Sequence, residues 1–349
     1  MVKKGNEKMI IIIGAESFVG TYLVDALVKL NKELIVTGRS IESNSFFKSL
    51  NKTTAINLDI SQEIDFKKLP TENIEAVIHL AGIMPANVEE NDYNPFQYID
   101  VNIKGTLNTL EYCRLNKIKK IIYTSSESDI SEQYDKYEIL NEDIPRAINY
   151  NNDHTIYAIT KIASMDLIKH YSEKYNIQGV YFRLPNIFGY GQLLEHYKDG
   201  KKVLNGFGTF LNNAMKGYNI ELWGDPKKGR DIIYVKDLVQ MIVNAIFISN
   251  ANGLYCVGTG IKTTLLEQVE KIIEVFSPQD IQKKSKIIFK RDKPSVRSYI
   301  YDVKKAKNDL NYEVQYPYER MLIDWKKELK LDRFSHLRNR VSLLLQEER

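Results

Sequence analysis

Residues 9–20 read Met9-Ile10-Ile11-Ile12-Ile13-Gly14-Ala15-Glu16-Ser17-Phe18-Val19-Gly20, and their reading decides the fold. Five consecutive apolar residues, four of them β-branched, predict a strand buried on both faces, as in a parallel sheet. A glycine turn follows directly, then a helix expected to carry Val19, Leu23, Leu27 and Leu30 along one side. The first amides of such a helix have no partner within it, so Phe18 and Val19 present donors to whatever lies at the strand end.

The same unit recurs along the chain. Strands are expected at Glu33–Thr37, Thr54–Leu58, Ala76–Gly82, Lys119–Tyr123 and Gly179–Arg183, with helical patterns between them, one running from Tyr98 to Cys113. Alternating βα units of this length predict an α/β fold with a doubly wound, Rossmann-type parallel sheet. The turn matches a dinucleotide-binding fingerprint with glycine at its first, fourth and seventh positions, except that Ser17 stands at the fourth. Ser17 either donates a hydroxyl to a pyrophosphate or weakens its binding. The second strand ends in Gly38-Arg39-Ser40 without an acid to bind both ribose hydroxyls. Arg39 either meets a 2′-phosphate, which leans the cofactor from NAD toward NADP, or is a solvated loop residue. Asp59, followed by Ile60, is placed to accept from an adenine amino group, and Leu80-Ala81-Gly82 allow a cofactor to lie close. His79 is expected to be a satisfied core residue.

Composition bounds the rest. The chain has 349 residues, ordinary apolar and charged fractions of 43% and 27%, and a net charge of +4 with both signs interspersed. That balance argues against nucleic acid and is compatible with a phosphate-bearing substrate. No apolar run approaches the ~20 residues that span a bilayer, the start is too short in apolar residues for a secretion signal, and a cytoplasmic location is expected. Cys113 and Cys256 fall in an expected helix and strand, with no pattern for a disulfide or a metal.

Tyr157 and Lys161 stand four apart on an expected helix and so share a face. A phenol titrates near ~10, and a cation held beside it favours the phenolate, which makes tyrosine usable as an acid and base. With these in place, eight pieces occur in one order: the glycine turn, Asp59, His79-Leu80-Ala81-Gly82, Asn102-Ile103-Lys104-Gly105-Thr106, Thr124-Ser125-Ser126-Glu127-Ser128, Tyr157 with Lys161, Arg183-Leu184-Pro185-Asn186-Ile187-Phe188-Gly189 with Gly229–Asp237, and Arg297-Ser298-Tyr299 leading to Asp302. Over nearly its whole length the chain resembles the extended short-chain dehydrogenase/reductases, the NAD(P)-dependent epimerase/dehydratase family acting on nucleotide sugars.

The resemblance implies that Tyr157 exchanges a proton with the sugar, that Lys161 lowers the tyrosine pKa and holds the nicotinamide ribose, and that a serine orients the reacting oxygen. Counting from the strand makes that serine Ser126; taking Glu127 as a dehydratase glutamate makes it Ser125. It implies a cofactor role for Asn102, and that Asn186, Arg230 and Arg297 line the site of a nucleotide-diphosphate sugar. For Arg230 the competing role is a salt bridge with Asp231, for Arg297 a solvated loop. It implies a Rossmann domain over 1–184, rejoined by 231–258, and a smaller C-terminal α/β substrate-binding domain from 185–230 and 259–330. Residues 331–349 are expected to form a helical extension, with an apolar stripe through Leu337, Val341, Leu344 and Leu345, that packs on the body or on another subunit. A homodimer is expected. In the Ser126 register one carboxylate, Glu127, follows the serine where dehydratases place two acids. A 4-epimerase or 4-ketoreductase is therefore expected ahead of a 4,6-dehydratase, with a non-catalytic dinucleotide-binding sensor or assembly protein as the alternative of another class.

Overall fold

The computed structural model describes residues 8–85, 93–134, 136–151, 155–198 and 201–341. Seven parallel strands form one sheet: β1 (Met9–Ile13), β2 (Leu34–Gly38), β3 (Thr53–Asn57), β4 (Ile74–His79), β5 (Lys120–Thr124), β6 (Gln178–Arg183) and β7 (Gly253–Cys256). Their order is β7-β6-β5-β4-β1-β2-β3. The winding reverses between β1 and β4, and the crevice beyond the carboxyl ends of these strands is where such a sheet receives ligands.

The alternation of the strands explains why β1 is apolar throughout. Ile10 and Ile12 join Val36, Ile78 and Ile122 in a core built with α1 (Phe18–Lys29) and the helix Val235–Phe247. Ile11 and Ile13 face the other way, into a core with Leu110 and Cys113 of one helix and Met165 and Ile168 of another. After the short α2 (Ser45–Lys48) and α3 (Pro95–Tyr98), those two helices are α4 (Gly105–Leu115) and α5 (Thr155–Tyr175). Cys113 and Cys256 are buried free thiols.

Two expectations are corrected here. Leu30 does not join Leu23 and Leu27 on the packed side of α1. The helix stops at Lys29, Asn31 takes a left-handed φ of 56°, and Leu30 is 51% exposed. Ala81 and Gly82 belong to the loop after β4, which ends at His79.

Beyond β6 the chain forms helices and two-stranded ribbons, including Ile220–Trp223 with Ile287–Lys290 and Gly229–Asp231 with Lys262–Thr264. The helix Tyr318–Leu331 is anchored by Trp325, stacked on Phe207 with ring centroids 5.2 Å apart. The short strand Ile300–Tyr301 pairs with Ile139–Leu140, tying this region to the segment after β5. Residues 332–341 pack back onto the body. Phe334 lies against Tyr22 and Phe46, His336 Nε2 is 2.9 Å from Thr21 Oγ1, Arg333 reaches Asp25 at 3.1 Å, and Leu337 is buried. Leu344, Leu345 and the Val341 side chain lie outside what is described.

Candidate active site

The glycine turn is shaped by contact with the next strand. Gly14 has φ +86°, and a Cβ there would lie 2.6 Å from the Ala81 amide nitrogen, so no other residue fits without displacing the loop after β4. Ser17 caps α1: its Oγ accepts from Gly20 N at 3.0 Å. The cap engages the hydroxyl oxygen and leaves its proton free to donate. The amides of Phe18 and Val19 have no acceptor among the described residues. This combination of free amides, a left-handed glycine and the small Ala81 and Gly82 fits the diphosphate of a dinucleotide.

Around the turn, Asp59 Oδ1 accepts from Ser61 N at 2.9 Å and Ser61 Oγ at 2.8 Å, so one carboxylate oxygen is committed to its own loop. Ile60 is buried against Gly105. Leu80 N donates to Ile13 O at 2.8 Å, fixing the exit of β4 beside β1. Asn102 lies in a π-helical turn, Ile99–Lys104, a distortion often found at functional sites. Its amide is occupied: Oδ1 accepts from Ile83 N at 2.9 Å, and Nδ2 donates to Ile83 O and to Thr160 Oγ1. Asn102 thus ties the loop after β4 to the helix of Tyr157. Arg39 is exposed and has no hydrogen bond or ion pair among the described residues.

At the carboxyl end of β5, Ser126 Oγ accepts from Ser128 N at 3.2 Å and from Ser128 Oγ at 3.0 Å. Burial pushes the Tyr157 phenol up, a hydrogen bond with Ser126 opposes that rise, and the negative charge of Glu127 adds to it. The Oγ of Ser125 is buried with no partner among the described residues. Lys161, one helical turn from Tyr157, donates from Nζ to Thr124 O at 2.6 Å and sits 4.2 Å from the Tyr123 ring centroid. His79 is a core residue, buried between Thr106 and Thr109 and pushed down to about 3 by desolvation and by Lys161.

Burial alone carries the Lys161 ammonium from 10.5 down to about 7. Between those values the unfolded chain holds a proton that the folded chain has lost, so this residue makes stability rise with pH across that window; below it the cost of the buried charge is fully present. Lys161→Met is expected to be more stable than the parent at pH 7 and to lose this dependence, checked by urea midpoints at pH 7 and pH 10.

A feature invisible to residue spacing lies beside the serines. The Glu127 carboxylate accepts from Tyr301 OH at 2.7 Å and Tyr299 OH at 3.3 Å, and the Tyr134 phenol stands beside it. Burial pushes Glu127 up, while the three phenols and the nearby Arg230 pull it down. Arg230 lies over the Phe188 ring, 5.8 Å from the centroid, and its charge opposes the rise that burial gives the Tyr299 phenol. The alternative salt bridge to Asp231 is absent among the described residues. Asp231 is buried and accepts instead from Thr259 N, Thr259 Oγ1, Gly260 N and Tyr301 N. Arg297 is exposed, donates to Ser131 O at 2.8 Å and lies over Tyr134. Asn186 is exposed on the loop after β6, two residues past Leu184, whose carbonyl accepts from Glu127 N.

The match to known proteins covers most of the chain. Residues 10–258 fit the model of the NAD dependent epimerase/dehydratase family. The chain belongs to that family. It is an enzyme of the extended short-chain dehydrogenase/reductase class. It is 28% identical over 302 residues to a Methanocaldococcus jannaschii protein provisionally named a UDP-glucose 4-epimerase, spanning 86% of this chain and 92% of that one. It is also 28% identical to UDP-glucuronic acid decarboxylase 1 of Arabidopsis thaliana, over 87% of this chain and 66% of the relative. The UDP-glucose 4-epimerase of Thermus thermophilus, solved with NAD, superposes with a TM-score of 0.71 at 20% identity, covering 92% of this chain and 99% of that one. The family's fold is therefore shared by relatives named for different reactions. Among the described residues no helix is long and apolar enough to cross a membrane, and no cluster of His, Cys, Asp and Glu suits a metal.

Proposed function

We propose that this enzyme acts on a nucleotide-diphosphate sugar by oxidation and reduction at one sugar carbon, C4, as a 4-epimerase. The observation that carries this reading is the Tyr157 phenol set beside Ser126 at the carboxyl end of β5, one helical turn from Lys161. Bound NAD or NADP supplies the hydride acceptor and donor at the reacting carbon. Tyr157 takes the hydroxyl proton of the sugar and returns it. Ser126, oriented by its two bonds from Ser128, holds the reacting oxygen against the phenol. Lys161 binds the nicotinamide ribose and brings positive charge to a phenol that burial otherwise keeps protonated. The closeness of Ser126 to the Tyr157 phenol supports Ser126 over Ser125 for this role.

Glu127 supports epimerisation over dehydration. It is the one carboxylate in the two positions directly after Ser126, and its Oε2 accepts from two tyrosine hydroxyls, which makes it a weaker base toward a sugar proton. The test is to incubate the enzyme with UDP-hexoses and follow the sugar by NMR: a C4 epimer with no net consumption of reduced cofactor supports the reading. Net cofactor consumption would mean a 4-ketoreductase, and loss of water a dehydratase.

Arg230, Arg297 and Asn186 hold the nucleotide diphosphate, with Arg230 near Tyr299 and Arg297 over Tyr134. Arg230→Ala and Arg297→Ala are each expected to raise KM about tenfold or more, the loss of a charge-assisted hydrogen bond, with a smaller effect on kcat. Steady-state kinetics with the nucleotide sugar checks this; an unchanged KM would point to a small carbonyl substrate instead. We further propose a homodimer through α4 and α5, where Leu107 and Ile159 are exposed together with Phe96 and Ile99. Light scattering at micromolar concentration gives the mass that decides it.

A further inference from the structure

We propose that Glu16, in the glycine turn, supplies the carboxylate that binds the adenosine ribose, and that it makes the enzyme select NAD over NADP. The inference rests on the dinucleotide reading of the turn. In a doubly wound sheet the ribose lies at the end of the second strand, where an acid accepts from both hydroxyls. Here β2 ends in Gly38 and is followed by Arg39, so the strand itself offers no acid.

The structure places one there from elsewhere. A Cβ on Gly38 would lie 2.2 Å from Glu16 Oε2, 2.9 Å from Cδ and 3.1 Å from Cγ. The Glu16 carboxylate therefore rests directly on the backbone of the strand end, in space that only glycine leaves open. Its one hydrogen bond among the described residues is long, from Asn44 Nδ2 to Oε1 at 3.5 Å, and Oε2 accepts from no described residue. Arg39 does not pair with it, although it is the adjoining residue of the strand end. An acceptor-only group with free lone pairs at this point suits a vicinal diol. A 2′-phosphate would bring a second negative charge against it, at a cost that Arg39, solvated and unheld, is poorly placed to offset.

The experiment is equilibrium titration of the full chain, stripped of bound nucleotide, with NAD and with NADP. Parent protein, Glu16→Gln, Gly38→Ala and Arg39→Ala are compared. The parent is expected to bind NAD more tightly than NADP. Glu16→Gln should weaken NAD about tenfold or more, the loss of hydrogen bonds to a charged acceptor, while weakening NADP less. Gly38→Ala keeps the charge but pushes the flexible carboxylate off the strand end, so it should reproduce the loss of NAD. Arg39→Ala should leave NAD binding unchanged. A parent that prefers NADP, or Glu16 and Gly38 variants whose NAD affinity matches the parent's, would overturn the inference while leaving the dinucleotide site intact. A folded parent that binds neither nucleotide would overturn the site and the inference together.

Discussion

Tyr157→Phe is expected to lower turnover by about 10²–10⁴-fold, the usual contribution of a positioned acid and base, while NAD and nucleotide-sugar binding stay unchanged. The substitution removes one oxygen and keeps the ring, which lies in α5 beside Tyr98 and Ser126. Ser126 retains its bonds from Ser128, so the local loop has no reason to move. Single-turnover product formation and calorimetric binding separate the two quantities. If the variant works within about tenfold of the parent, the proton passes through another group. Glu127 is the nearest carboxylate to examine, and Glu127→Gln would then become the informative change.

The second large effect concerns stability. Arg183 and Asp129 form a buried pair: Nε lies 3.0 Å from Oδ1 and Nη2 3.0 Å from Oδ2, and both side chains are almost fully enclosed. Arg183 also donates to Asn141 O at 3.1 Å, so one guanidinium organises β6 and the segment after the serines. Arg183→Met leaves the Asp129 carboxyl buried without its counter-charge and is expected to cost about 3–5 kcal/mol. Combining it with Asp129→Leu should recover much of that loss, since a well-packed apolar pair avoids the desolvation both charges incur. Denaturant midpoints of the two single variants and the double variant test the non-additivity. A single variant as stable as the parent would mean the pair is open to water.

The sheet is legible in the sequence because its physics is local. A strand buried on both faces must be apolar at every position, and Met9–Ile13 reads that way with no knowledge of its neighbours. The glycine turn and the Tyr157–Lys161 spacing are likewise short-range. What surrounds Glu127 is not. Tyr301 lies 174 residues along the chain from it, brought there by a two-residue pairing of Ile300–Tyr301 with Ile139–Leu140 that leaves no periodic signal. The spacing puts Lys161 on the helix face of Tyr157, but the hydrogen bond from its Nζ to a backbone carbonyl of β5 spans 37 residues and leaves no local signal. For Arg230 the two roles open in the sequence separate only through the four donors that occupy the Asp231 carboxylate. Glu16 leaves no such trace, because side-chain direction in a turn follows neither the helical nor the strand repeat.

The packing of residues 332–341 on α1 sets an order of events during synthesis. His336 meets Thr21 across a separation of 315 residues, and at ordinary translation rates that is a delay of roughly 15–60 s. For that interval the outer side of α1, with Tyr22 and the neighbouring Phe46, has left the ribosome without its cover. The nascent chain must carry an apolar face that its own distant segment closes last.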